Sequence, residues 1–324
     1  MIMTSVAFLI ALALVLLLGV PYLEFMKKKM YGQYIREEVK MLHEKKNKTP
    51  TTGGVFIVAS IVTASIIALF MAQELTTRAI IVLMTLIFYT FTGFEDDIKK
   101  IKEKHNEGLS PRAKLTLQIA VSMLPSLYIL FQHQAQLTFF GLNIELGFLY
   151  PFFAVFMIVG SSNALNLTDG LDGLAAGCSF FAFLACSVIS LINGYNDLAI
   201  VSITASAASL GFLYFNRNPA KIFMGDTGSL ALGGMLATIA IMGKFELWLI
   251  PVAIIFISET LSVMLQVASF KLTGKRIFKM SPIHHHFELS GWNERKIVAV
   301  FCFISALGGL IAVWGFAIQK MLEQ

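Results

Sequence analysis

Aspartate is scarce in this 324-residue chain: it stands only at Asp96, Asp97, Asp169, Asp172, Asp197 and Asp226. Five of the six lie in or beside strings of small, hydroxyl- and amide-bearing residues, whereas the glutamates are scattered among lysines. The first string is Thr92-Gly93-Phe94-Glu95-Asp96-Asp97-Ile98-Lys99-Lys100. Adjacent carboxylates repel, and a cation or a shared proton is the usual means of holding two together. A solvated helix end that needs neither is the plainer alternative. The second string runs from Asn163 to Leu174, with Asn163, Asn166, Asp169 and Asp172 recurring every three residues. That spacing predicts one shared face of a helix or tight turn. Amide and carboxylate oxygens converging there suit a hard cation, a sugar or a base edge. Gly170 and Gly173 would let the backbone approach the bound group, although a capping and turn motif would also use these residue types.

The third string, Asn216 to Ser229, ends in Gly225-Asp226-Thr227-Gly228-Ser229. At a helix start it offers backbone N–H groups and hydroxyls to a phosphate. Asp226 is equally suited to capping that helix and to holding Mg²⁺ beside the phosphate. A fourth, Ser281 to Glu288, holds His284, His285 and His286 in a row. Contiguous side chains diverge and make a poor zinc site; near a diphosphate they would neutralise charge or move a proton. Thr49-Pro50-Thr51-Thr52-Gly53-Gly54 reads as a turn with hydroxyls and backbone donors exposed. Glu259 is an ionisable group inside an apolar run, expected either to pair with a base near the same face or to cap a helix break.

These strings punctuate a chain that is 56% hydrophobic and 14% charged, with mean hydropathy +0.74. An ordinary soluble domain is about one quarter charged, so the composition argues against a soluble enzyme and excludes a disordered or disulfide-stapled chain. Ten apolar runs approach the roughly 20 residues a bilayer-crossing helix needs. They are 5–23, 55–71, 79–94, 115–131, 148–165, 174–192, 198–215, 230–242, 247–270 and 297–318. The eighth is short and glycine-rich, but 22 of the 25 lysines and arginines fall on the connections after odd-numbered runs only if it is kept. Basic loops are cytoplasmic. The expectation is therefore an all-α integral membrane protein, a single polytopic domain over residues 1–324. It would have ten transmembrane helices, both termini outside and the polar strings at the cytoplasmic face. The first run, followed by Lys27-Lys28-Lys29, is expected to be an uncleaved helix. The net charge of +5 is mostly this topology signal, and nothing favours nucleic acid. Cys178, Cys186 and Cys302 are far apart in sequence and read as small buried hydrophobes. Residues 138–147 are expected to form a short hairpin on the outer side.

Taken in order, the strings resemble the polyprenyl-phosphate N-acetylhexosamine-1-phosphate transferase superfamily over nearly the whole chain. The motifs are Phe94-Glu95-Asp96-Asp97 with Lys100, Asn166 to Gly173, and Phe223 to Ser229. Pro282 to Glu288 favours the muramoyl-pentapeptide branch over the N-acetylglucosamine branch. The resemblance implies transfer of phospho-N-acetylmuramoyl-pentapeptide from its UDP conjugate to undecaprenyl phosphate, giving lipid I and UMP, with Mg²⁺ as cofactor. It further implies a bacterial plasma-membrane homodimer. By the same resemblance Asp226 would be the Mg²⁺ ligand and Asp96 and Asp97 would lie at the catalytic centre, one of them deprotonating the lipid phosphate. Asn163, Asn166, Asp169, Asp172, Asn216 and Phe223 would bind substrate, Phe223 by stacking on uracil. Thr51, Lys46 and Lys114 would join them, both lysines facing phosphates, and His284–His286 would hold the donor or assist transfer. Lys48 departs from the family's usual glycine before Thr-Pro-Thr. Two rivals remain: a sister transferase for N-acetylglucosamine-1-phosphate, and an ion-coupled carrier, for which the chain lacks paired half repeats.

Overall fold

A computed structural model of the chain describes residues 2–28, 49–103 and 108–323. Among the described residues, ten helices are long and apolar enough to cross a membrane, and each coincides with one of the ten apolar runs. The protein is an all-α integral membrane protein. Its helices are α1 (Ile2–Lys28), α2 (Gly54–Ala72), α3 (Thr77–Glu103), α4 (Pro111–Phe131), α5 (Tyr150–Thr168), α6 (Leu174–Ile192), α7 (Asn196–Asn216) and α8 (Gly225–Met242). After them come a short α9 (Leu249–Val252), α10 (Ile254–Thr273), the six-residue α11 (Ile283–Glu288) and α12 (Glu294–Leu322).

Local chemistry sets several of these boundaries. Ser110 accepts a hydrogen bond from the Ala113 N–H (3.3 Å) with Pro111 at the first helical position, so α4 starts there. Asn293 caps α12 in the same way through the Lys296 N–H (2.9 Å). The ninth apolar run is not one helix: it breaks at Ala253, between α9 and α10. The hairpin is Gln136–Phe139 paired antiparallel with Leu142–Glu145, two residues earlier than expected. Lys244 pins it to the bundle by donating to the Gln136 carbonyl (2.8 Å), while ion-pairing with buried Glu246 (2.6 Å).

The short, glycine-rich α8 is the centre of the bundle. It is 94% buried, against 22% for α1 and 28% for α4 and α10, whose outer faces carry exposed Leu, Ile, Phe and Met. Small residues explain this placement, because without a hydrophobic drive between helices in lipid, close backbone approach supplies the packing. A Cβ on Gly93 of α3 would fall on the Asp226 carbonyl, and one on Gly54 of α2 would fall on the Gly228 backbone. These two glycines let α3 and α2 close onto the first turn of α8. Cys302 of α12 packs against α6 beside Cys178, where a Cβ on Gly177 would fall on its Sγ, a proximity their sequence separation concealed.

Candidate active site

Five helix ends converge at one end of the bundle: the C-terminal parts of α3 and α5, the N-terminal parts of α4 and α8, and the turn entering α2. Asp197 sits apart at the other end, in the first turn of α7, where Arg78 (3.3 Å) and the Thr76 hydroxyl engage it. At the converging end, carboxylate oxygens of Asp96, Asp97 and Asp226 lie within 4.8 Å of one another.

Each carboxylate has a distinct setting. Asp97 faces the start of α8: its Oδ1 accepts from the Asp226 N–H (3.1 Å), and its Oδ2 from the Thr227 N–H (3.0 Å) and the Thr227 hydroxyl (2.6 Å). The helix N-terminus expected to cradle a phosphate is therefore occupied by the protein's own anion, which the unpaired N–H groups and helix dipole attract for the same reason. Asp226 is not the N-cap. It lies in the first turn, beyond Met224, and projects away from the helix. Its Oδ2 meets Lys114 Nζ (2.5 Å) and Lys100 Nζ (3.1 Å), and its Oδ1 accepts from Asn166 Nδ2 (2.8 Å). Asp96 shares these lysines, at 2.6 Å from Lys100 and 3.9 Å from Lys114, and accepts the Leu109 N–H (2.9 Å). Lys100 stands four residues after Asp96 on α3, the spacing that stacks side chains on one helix face. The cluster thus sets three acids against two ammonium groups. A wholly carboxylate donor set fits a hard divalent cation such as Mg²⁺, which takes oxygen ligands and few of them from protein.

The segment after α5 closes one side of this cluster. Asn166 Nδ2 also donates to Ser229 Oγ (2.8 Å), tying α5 to α8. Asp169, just past the end of α5, has its carboxyl held well above the ordinary range, first by burial and then by the negative charges of Asp226 and Asp97.

A protein-family model described as glycosyl transferase family 4 matches residues 79–244, which contain all three acids and both lysines. A Staphylococcus carnosus (strain TM300) protein is 47% identical over 321 residues, 97% of this chain and 98% of its own length; it is named phospho-N-acetylmuramoyl-pentapeptide-transferase. Proteins of the same name from Staphylococcus aureus strains JH9 and Newman are each 46% identical over 312 residues, 94% of this chain and 97% of theirs. The chain belongs to the phospho-N-acetylmuramoyl-pentapeptide-transferase family.

Within this member of the transferase family, the four residues spaced by three do not form one face. α5 ends at Thr168, so Asp169 and Asp172 lie on the turn beyond it, and within the helix a step of three residues advances only about 300°. Asn166 reaches Asp226, but Asn163 donates to Gln118 on α4 (2.9 Å). Asp172 turns the other way and accepts from the Ala220 N–H (3.0 Å) and Asn218 Nδ2 (3.2 Å), with Asn218 also bridging to Glu294 (2.7 Å). Asn216 braces two segments, accepting the Gly173 N–H and donating to the Ile222 carbonyl (both 2.9 Å). Asp172 and Asn216 therefore shape the loops that frame the site. Phe223 is half-buried, its backbone bonded to Pro50 (2.8 Å) and Gly53 (2.9 Å), so the turn entering α2 and the approach to α8 run side by side. Thr51 is buried beside Gly225. Lys46 lies outside the described residues.

The three histidines diverge, as contiguous side chains should. His284 is buried with its Nδ1 3.1 Å from the Glu259 carboxylate, so Glu259 faces a basic side chain near the same end of the bundle. His285 pairs with Glu288 (2.7 Å), and His286 accepts the Lys279 N–H (3.1 Å) and packs edge-on against Phe278. Lys100, Thr227 and Ser229 are the site residues to which sequence reasoning gave no individual role. Only Lys100 carried a usable signal, its four-residue offset from Asp96.

Proposed function

We propose that this protein transfers phospho-N-acetylmuramoyl-pentapeptide from its UDP conjugate to undecaprenyl phosphate, yielding lipid I and UMP, at the cytoplasmic face of a bacterial plasma membrane. The observation that carries the reading is the meeting of Asp96, Asp97 and Asp226 with Lys100 and Lys114 at one end of a membrane bundle. Supporting it are relatives bearing that transferase name over nearly the full chain. Cytoplasmic placement is supported by the 22 of 25 basic residues on the connections at this end. A homodimer is the expected assembly, from the family resemblance.

In the reaction an oxygen of the lipid phosphate attacks the phosphorus bonded to the sugar, the new P–O bond forms, and the bond to UMP breaks. Negative charge gathers on the phosphoryl oxygens, so positioned cations and helix-end dipoles do most of the work. Lys100 and Lys114, held by Asp96 and Asp226, present ammonium groups to those oxygens. Asp226 would hold Mg²⁺, with Asp96 and Asp97 alongside, and the ion would supply charge neutralisation at the diphosphate. Asp97 keeps the first turn of α8 in place and so aims Asp226. Asp96, whose partners are the Leu109 N–H and the two shared lysines and not the α8 terminus, is the better placed of the pair to take a proton from the lipid phosphate. Asn166 orients Asp226, and the segment 166–173 lies where the nucleotide sugar would dock. The test is UMP release by detergent-purified protein given the muramoyl-pentapeptide donor and undecaprenyl phosphate. Turnover with UDP-N-acetylglucosamine instead would overturn the donor assignment.

A further inference from the structure

Glu259 is fully buried on α10, and its carboxylate meets His284 alone among the described side chains for which a partner can be named: Oε1 lies 3.1 Å from Nδ1, and Oε2 is 3.4 Å from the His284 backbone N. A buried carboxylate on a membrane-spanning helix is costly and marks function by default. The His284 ring is itself buried, and neither of its nitrogens has an aligned hydrogen-bond partner among the described residues: Nδ1 lies against the Glu259 carboxylate, and Nε2 has no carboxylate beside it. That nitrogen lies over Gly170, where any side chain would strike it. Gly170 sits between Asp169 and Asp172, in the segment beside the acid cluster.

The two ring nitrogens of a histidine are distinct, and a carboxylate on one decides what the other offers. A carboxylate 3.1 Å from Nδ1 favours the proton on that nitrogen, leaving Nε2 toward the 166–173 segment. A buried polar atom left without a partner in a finished site calls for a ligand group or water to complete it. We propose that Glu259 is a positioning residue: it sets the tautomer and aim of His284, so that Nε2 meets the phosphosugar donor docked against the 166–173 segment. The inference rests on the donor reading above. His285, whose ring lies 4.2 Å from that of His284 and pairs with Glu288 instead, is not held by this carboxylate.

Two measurements test it. In protein labelled with ¹⁵N-histidine and free of substrate, the signal missing from His284→Ala should show a protonated Nδ1. That state should persist in Glu259→Gln, which keeps an acceptor, and be lost in Glu259→Ala. A neutral ring protonated at Nε2 in the unmodified protein overturns the proposal. In turnover, Glu259→Ala should lower kcat by about 10- to 100-fold, the loss typical of removing a supporting partner from a functional histidine, with Glu259→Gln closer to the unmodified enzyme. Combining Glu259→Ala with His284→Ala should cost no more than about twofold beyond His284→Ala alone, because residues acting through one another are not additive. Losses that multiply, or a His284→Ala protein as active as the unmodified one, also overturn it. If the unmodified protein instead uses a different donor while the ring signals behave as expected, the donor reading fails and the Glu259–His284 linkage stands.

Discussion

Asp97→Asn separates the structural acid from the catalytic ones. The change is nearly isosteric, but an amide has one acceptor where the carboxylate has two. If its oxygen takes the place that accepts from the Thr227 N–H and hydroxyl, its NH₂ group faces the Asp226 N–H, now 3.1 Å from Oδ1. One buried donor is left unpaired, at about 1–3 kcal/mol. The anion that complements the α8 terminus is also lost, worth up to ~2 kcal/mol in a partly buried setting. The combined cost is about 2–4 kcal/mol, concentrated at the first turn of α8, which carries Asp226. A fluorogenic maleimide melt in a Cys302→Ala background reads this, because Cys302 is half-buried whereas Cys178 and Cys186 are buried and label only on unfolding. Asp97→Asn should melt earlier than the unmodified protein and lose UMP release as Asp226 shifts. Asp226→Asn should lose UMP release with a much smaller change in melting. An Asp97→Asn protein that melts normally, whatever its activity, refutes the capping role.

The remaining expectations concern the same cluster. Asp226→Asn should nearly abolish UMP release in protein that still elutes as a folded species in detergent; unchanged turnover would remove it from the catalytic centre. Chelation with EDTA should stop the reaction and added Mg²⁺ should restore it, whereas full activity in chelator would refute the metal assignment. Gly93→Ala should force α3 away from α8, because its methyl would meet the Asp226 carbonyl. Folded yield and activity should both fall, and a well-folded, active variant would show that the helices need not approach so closely.

The ten helices were legible in the sequence because nine apolar runs approach spanning length and the alternation of basic residues between connections required the short eighth. Which helix is central was not, since a helix facing lipid and one facing protein are equally apolar; only the glycines of α8 and their partners at Gly93 and Gly54 hinted at close packing. The acids could be picked out by their scarcity and their polar strings. Their division of labour could not, because Asp97 and its partner Thr227 are 130 residues apart and only folding brings them together. The row Asn163, Asn166, Asp169, Asp172 misled by regularity, since α5 ends at Thr168 and the last two members lie on the turn beyond it. Glu259 stood out as an acid in an apolar run, yet the identity of its partner required the chain to return at His284.

The central claim is that one end of the bundle joins Asp226, Asp96 and Asp97 into a single centre for phosphosugar transfer. A structure determined with the UDP-linked donor and Mg²⁺ bound tests it most directly. The diphosphate should lie between the end of α3 and the start of α8, within reach of Lys100 and Lys114, with the ion on Asp226. A donor bound at the Asp197 end, or a metal whose ligands exclude Asp226, would contradict it.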